Sequence, residues 1–399
     1  MPLYFLINSL AIGGAETVLV RIAKFLKPKE IFLLEKEIRY PVDKNSISFL
    51  SNHTRDTNSI FKTLYIPIYG VNLSKKIKSN DIVISFLERA NFVNIVAKYI
   101  RRHRTIVSVQ TDPISGHAGI RGINKRLIKT LYNKSDYVIA VSQGVNNSLI
   151  SLGVTRTNIK VIYNPIFLEE IIEKSKEDIE EIFGGKDFLI TVGRLTKAKG
   201  QWHLIRIFSR LKKEFPELKL LLLGDGELKD DLVNLSRNMG LNTYVWDENE
   251  LSEKYDVYFM GFKENPFKYI TKSKLFIFPS LWEGFGNVVA EALACKTVIV
   301  ASDCKSGPRE ILAPDTDISY QTKKPEFAKY GVLMPVLEDK LENIEILTEK
   351  EITWLKTIKM LLKDENLIKH YREKALERAK DLDISKIIDD WYEVIQDVI

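Results

Sequence analysis

Cysteine is nearly absent: 399 residues contain only Cys295 and Cys304. Two thiols cannot build a disulfide framework. They suit a reducing compartment, as small buried apolar residues. No apolar run approaches the roughly 18 residues that span a bilayer. Met1-Pro2 passes straight into the strand-like run Leu3 to Ile7. There is no basic leader and no cleavage site, so no signal peptide is expected. Internal repeats and low-complexity tracts are also missing. So is any aromatic–basic module of the usual nucleic-acid-binding kinds, which argues against a nucleic-acid partner. Together these absences describe a cytoplasmic protein with no span of its own.

What is present is ordinary for a globular chain: 45% hydrophobic and 28% charged residues. The length allows two domains with full cores. The charge is unevenly spread. Residues 1–165 carry 24 Lys and Arg against 10 Asp and Glu, a balance of +14, and the remainder carries 35 against 43, or −8. A basic half joined to an acidic half implies that the first half meets something anionic.

Short apolar runs alternate with helical stretches throughout. In the first half the runs are Tyr4 to Asn8, Ile31 to Leu34, Ile47 to Leu50, Asp81 to Phe86, Thr105 to Val109 and Tyr137 to Val141. Helical stretches near 61–78, 90–102, 121–134 and 144–152 lie among them. This alternation predicts an α/β protein with doubly wound parallel sheets. Ligands of such sheets bind at the carboxyl ends of strands. Gly13-Gly14, after the first strand, stands at such an end. Glu169 to Glu181 is highly charged and reads as an interdomain helix or as a solvated surface helix. The last stretch, from Ile384, places Ile387, Ile388, Trp391, Val394 and Ile395 at helical spacing, the mark of a buried stripe.

Residues 275–296 carry the most specific signal. Leu275 to Pro279 reads as a buried strand, Glu283-Gly-Phe-Gly286 as a tight turn, and Ala290 to Lys296 as a helix. Strand, glycine turn and helix aim backbone N–H groups at an anion. Two carboxylates flank that turn, Glu283 and Glu291. Carboxylates accept hydrogen bonds from hydroxyls and do not hold phosphate. The local chemistry is therefore a phosphate flanked by hydroxyl groups, as in a nucleotide sugar. On spacing alone, an ordinary strand–loop–helix with two surface glutamates fits equally well.

The run Glu-Gly-Phe-Gly-Asn-Val-Val-Ala-Glu, residues 283–291, resembles the E-x7-E motif of the family-4 retaining glycosyltransferases. Val298 to Asp303, Gly307-Pro-Arg-Glu310 and the Gly-Arg-Leu-x4-Gly loop from Gly193 to Gly200 resemble the same family. The resemblance implies the GT-B fold, with two facing Rossmann-like domains and a cleft between them. The first domain would span 1–165, a linker 166–186 and the second domain 187–383. A C-terminal helix, 384–399, would pack back on the first.

The same resemblance assigns roles. Glu283 would contact the donor sugar and Glu291 the ribose. Arg194 and Lys199 would neutralise the leaving diphosphate. Gly284, Phe285, Gly286 and Asn287 would cradle the donor, Gly13 and Gly14 would line the cleft, and Phe262 and Lys263 would flank the base. Where the family often has a histidine after the fifth strand, this chain has Gln110, with His117 seven residues on. Both are acceptor-side candidates. The donor would be a uridine diphosphate sugar, and the acceptor lipid-linked or a polysaccharide. No metal is expected, since Asp315-Thr-Asp317 follows Pro314 in a loop and not a strand.

Three rivals remain. One is a nucleotide-sugar epimerase of similar architecture, and another a non-catalytic sugar-binding subunit. A dinucleotide-dependent dehydrogenase is disfavoured, because Gly224-Asp-Gly-Glu227 lacks a third glycine at Lys229. The basic first half, with Arg121, Lys125, Arg126 and Lys129 along one helix side, would meet an anionic membrane at the inner face.

Overall fold

The computed structural model describes every residue except 12, 41, 55, 116–120 and 341–345, and the side chains of 121–124 and 156 are likewise not described. The chain divides into two compact units. Unit 1 comprises Met1–Pro165 with Ile384–Ile399, and unit 2 comprises Ile166–Asp383.

Unit 1 has strands β1 (Leu3–Ile7), β2 (Glu30–Leu33), β3 (Ile47–Phe49), β4 (Ile82–Phe86), β5 (Arg104–Val109), β6 (Tyr137–Ala140) and β7 (Ile159–Val161). Helices α1 (Gly14–Leu26), α2 (Ser59–Leu64), α3 (Ile66–Lys76), α4 (Glu88–Arg101), α5 (Arg121–Tyr132) and α6 (Gln143–Ser151) connect them. Among the described residues the sheet runs β3-β2-β1-β4-β5-β6-β7, parallel throughout. Helices cover both faces, so a strand such as Ile82–Phe86 is buried at every residue. The stretch read as one helix near 61–78 is two, because the chain breaks at Tyr65 and restarts with Pro67 in the first turn of α3.

Unit 2 begins with α7 (Leu168–Ser175). Its strands are β8 (Phe188–Val192), β9 (Lys219–Leu223), β10 (Thr243–Val245), β11 (Val257–Phe259), β12 (Leu275–Phe278), β13 (Ile299–Ser302), β14 (Glu326–Phe327) and β15 (Val332–Met334). Its other helices are α8 (Gln201–Leu211), α9 (Lys229–Asn238), α10 (Phe267–Lys272), α11 (Asn287–Ala294), α12 (Pro308–Leu312), α13 (Glu349–Lys363) and α14 (Glu365–Asp381). Among the described residues the strand order is β10-β11-β9-β8-β12-β13-β15-β14, antiparallel only at β14.

Residues 166–186, expected as a linker, belong instead to unit 2. Ile171 is buried, α7 packs against α10 and α11, and Phe183 sits edge-on to Tyr258. The dense charge reflects only the solvated side of α7. The last helix, α15 (Ile384–Asp397), is part of unit 1: Trp391 stacks on Phe86 at 6.0 Å, and Lys160 pairs with Glu393 at 2.7 Å.

Candidate active site

In unit 2 the strand order turns back between β8 and β12, which pair side by side. Open parallel sheets bind ligands at such a point, because the loops leaving the two carboxyl ends diverge. Here those loops are 193–200 and 279–286. The Leu281 N–H donates to the Ala198 carbonyl at 2.8 Å. Gly200 has φ +60, and a Cβ there would lie 2.5 Å from the Pro279 carbonyl oxygen. Only glycine allows the loops to come this close.

The close approach brings Lys199 to Glu283. Their Nζ and Oε1 atoms are 2.5 Å apart, and the side chains are 21% and 12% exposed. The Lys199 ammonium also lies 5.2 Å from the centre of the Phe278 ring. An ammonium has three donors and a carboxylate about four acceptor positions, so neither group is exhausted by the other. Arg194 leaves the same loop. It is exposed, and its guanidinium has no hydrogen-bond or ion-pair partner among the described residues. Its carbonyl accepts from the Gln201 side chain at 3.0 Å, which fixes the backbone beneath it.

Past Glu283 the chain turns through Gly284 and Phe285 into Gly286, the N-cap of α11, at φ +86. The N-cap has no side chain to occupy the first N–H groups of the helix, which starts at Asn287. Glu291 is half-buried one turn further along. Behind the turn, Gly307 has φ +101, and a Cβ there would fall 1.8 Å from the Phe285 carbonyl oxygen. Gly307 in turn is anchored by a buried ion network. Arg309 Nη2 lies 2.6 Å from Asp303 and 2.7 Å from Glu326, and Arg309 Nη1 donates to Thr316 at 3.0 Å. Burial pushes the Asp303 carboxyl up, although Arg309 and the Thr322 N–H pull it back. Burial likewise raises the thiols of Cys304 and Cys295. A lone arginine carries no local sign that two distant acids will enclose it.

The other expected residues are placed as follows. Phe262 is half-exposed after β11, and Lys263 lies 3.8 Å from Glu180. This loop is tied to the site by the Gly224 N–H, which donates to the Gly261 carbonyl at 2.8 Å. Gly13 and Gly14 lie in unit 1 at the start of α1. There Thr17 donates to the Gly13 carbonyl at 2.9 Å, and the Tyr40 hydroxyl does so at 3.1 Å. Gln110 is buried in unit 1: its amide donates to Ser108 at 2.8 Å and accepts from Asn164 at 3.1 Å. Both ends of that side chain are therefore engaged within the unit. His117 lies outside the described residues. Asp317 accepts from Ser319 at 2.8 Å, and Asp315 pairs with Lys329 at 3.2 Å.

Two parallel-sheet Rossmann-like units define the GT-B class. The model of Glycosyltransferase Family 4 matches residues 12–170, and that of Glycosyl transferases group 1 matches residues 172–329. The chain belongs to these family-4-type glycosyltransferases. It is 32% identical to N-acetylgalactosamine-N,N'-diacetylbacillosaminyl-diphospho-undecaprenol 4-alpha-N-acetylgalactosaminyltransferase of Campylobacter jejuni, over 96% of each chain. It is 33% identical to an uncharacterized glycosyltransferase of Methanocaldococcus jannaschii, again over 96% of each. Anabaena Alr3699/HepE, solved with UDP and glucose, shares the fold with a TM-score of 0.74 at 20% identity over 99% of each chain. The lipopolysaccharide outer core galactosyltransferase WaaB does so with a TM-score of 0.67 at 16% identity over 100% of each.

Proposed function

We propose that the protein moves a hexose from a UDP-sugar to a lipid-linked or polysaccharide acceptor, with retention at the anomeric carbon and without a metal ion. The observation that carries the reading is the Lys199–Glu283 pair beside the N-terminus of α11, with Arg194 on the same loop and unpaired.

In this reading Arg194 and Lys199 take the donor diphosphate, and the first N–H groups of α11 add partial positive charge. Lys199 keeps Glu283 while donating to phosphate, since it has three N–H bonds. Glu283 accepts hydrogen bonds from the sugar hydroxyls and fixes the ring. Glu291 serves the ribose, and Phe262 and Lys263 flank the base. The bond from the anomeric carbon to the diphosphate oxygen breaks, and its electron pair goes to the leaving diphosphate. The acceptor oxygen forms its bond on the same face, and its proton passes to a β-phosphate oxygen. The protein positions the reactants and stabilises charge, and supplies no nucleophile.

The names of the Campylobacter relative and of the galactosyltransferase neighbour support a glycan acceptor carried on lipid. The +14 balance of residues 1–165 supports work at an anionic membrane, on the cytoplasmic side. No helix among the described residues is long and apolar enough to cross a membrane. The test is a thermal-shift screen against nucleotide sugars, followed by an assay for UDP release. A stabilising UDP-sugar whose UDP is released on adding acceptor supports transfer. Binding without release would indicate a sugar-binding subunit, and interconversion of the free donor an epimerase.

A further inference from the structure

Unit 1 carries a surface that the transfer chemistry leaves unused. On α2, Ile60, Phe61 and Leu64 are exposed, Leu64 by 74%. On α3, Ile68 and Val71 are exposed, and at the end of α4 so are Tyr99 and Ile100. Isolated apolar side chains on a surface are common, but seven gathered on three consecutive helices are not. They are not a displaced core. The inner sides of the same helices already supply Tyr69, Leu73, Ala90, Val93 and Ala97 to the buried cluster over the sheet. α3 and α4 pack so tightly that a Cβ on Gly70 would lie 2.6 Å from Val96 Cγ1. The outer face is therefore continuous. α2 is pinned by the buried Lys62, whose ammonium donates to Glu35 at 2.8 Å, and its apolar residues stay outward.

Apart from Asp56 before α2 and Glu88 at the start of α4, the charge on these helices is basic. No Asp or Glu occurs from residue 57 to 80, or from 89 to 111. Lys75, Lys76, Lys78, Arg101 and Arg102 are all exposed. The connections β3–β4, β4–β5 and β5–β6 step in one direction across the sheet, so α3, α4 and α5 share one face. Exposed Lys125, Arg126 and Lys129 of α5 extend the same basic field.

We infer that this helical layer is where unit 1 rests on an anionic lipid bilayer, with Ile60, Leu64 and Ile68 entering the headgroup–acyl boundary. Apolar tips on a helical layer that also carries exposed lysine and arginine match lipid headgroups over acyl chains. Tyr65 and Tyr99 are the amphipathic residues that favour that depth. The inference deepens the lipid-linked acceptor reading and rests on it for its purpose, but docking and transfer are measured separately.

The full chain is tested with vesicles of phosphatidylcholine alone and of phosphatidylcholine with phosphatidylglycerol. Leu64→Cys is labelled with an environment-sensitive fluorophore, which the buried Cys295 and Cys304 do not take up. The label should shift to the blue on the anionic vesicles. Ile60→Glu with Leu64→Glu should cut the sedimented fraction about tenfold, with the melting temperature and UDP release from soluble donor unchanged. Failure of the parent to bind, equal binding by the double variant, or bound protein with no shift at residue 64 would each overturn the inference. A protein partner, and not vesicles, shifting the label would overturn it too. Docking as expected together with absent transfer would sink the proposed function and leave the surface standing.

Discussion

Lys199 and Glu283 stand 84 residues apart in sequence and 2.5 Å apart in space, at the point where the second sheet reverses its strand order. The pair joins loop 193–200 to turn 279–286, so each residue can be tested against the other. Lys199→Ala and Glu283→Gln should each lower turnover by about a hundredfold or more, while melting temperatures move little. The double variant should lose far less than the product of the two single losses, because the groups act as one unit. Steady-state rates and melting curves on all three decide this.

Arg194 makes no side-chain bond within the described fold, so removing it costs stability only within about 0.5 kcal/mol. Arg194→Ala should nevertheless weaken UDP binding. Arg194→Lys should recover only part of it, since lysine cannot make two parallel bonds to a phosphate. Calorimetric titration of UDP into each variant is the check.

Arg309 should behave oppositely. Its charge is buried between Asp303 and Glu326, so Arg309→Ala strands two carboxylates and should cost about 3–5 kcal/mol. Activity should fall with stability, because Gly307 and the Phe285 turn lose their support. Denaturant unfolding followed alongside activity separates this from a pure binding defect.

Acid should weaken the two units in different ranges. His103 is buried in unit 1, 2.8 Å from Asn94, and burial, with Lys98 nearby, lowers its pKa from 6.5 to about 4. The unfolded chain takes up this proton below 6.5 and the native chain does not. Stability from this group is present above pH 6.5 and is lost down to about pH 4, on the order of 3 kcal/mol. Glu351 in unit 2 is held below the usual 4.5: burial raises it, but His203, Arg206 and the Thr348 N–H outweigh that. Its contribution is lost only below pH 4.5. Scanning calorimetry from pH 7 to pH 4 should show unit 1 weakening first, and His103→Gln should flatten that loss.

These groups show what a linear reading can and cannot reach. The site turn was legible because its strand, glycines and helix are contiguous from Leu275 to Ala294. The domain cores were legible because strands covered on both faces, such as Ile82–Phe86, are largely apolar. The pairing of Lys199 with Glu283 needed the topology, and the enclosure of Arg309, His103 and Glu351 needed tertiary burial of polar groups. Glu169 to Glu181 misled because a short helix with one buried residue, Ile171, looks wholly solvated. The exposed face of α2 and α3 was hidden in the opposite sense, since outward apolar residues there read as core.

Chelation should leave transfer intact. In the proposed mechanism Arg194 and Lys199 supply the positive charge that a divalent ion would otherwise bring. Activity lost in chelator and restored by magnesium or manganese would refute this part of the mechanism.

The central claim is that the β8–β12 switch point holds the diphosphate of a uridine nucleotide sugar. Its most direct test is calorimetric titration of UDP into the parent, Lys199→Ala and Glu283→Gln. The account predicts binding to the parent and at least about tenfold weaker binding to Lys199→Ala. It predicts nearly unchanged UDP affinity for Glu283→Gln, which should lose turnover of the UDP-sugar instead. Equal affinity of the parent and Lys199→Ala, or tighter binding of adenosine or guanosine diphosphate than of UDP, would contradict it.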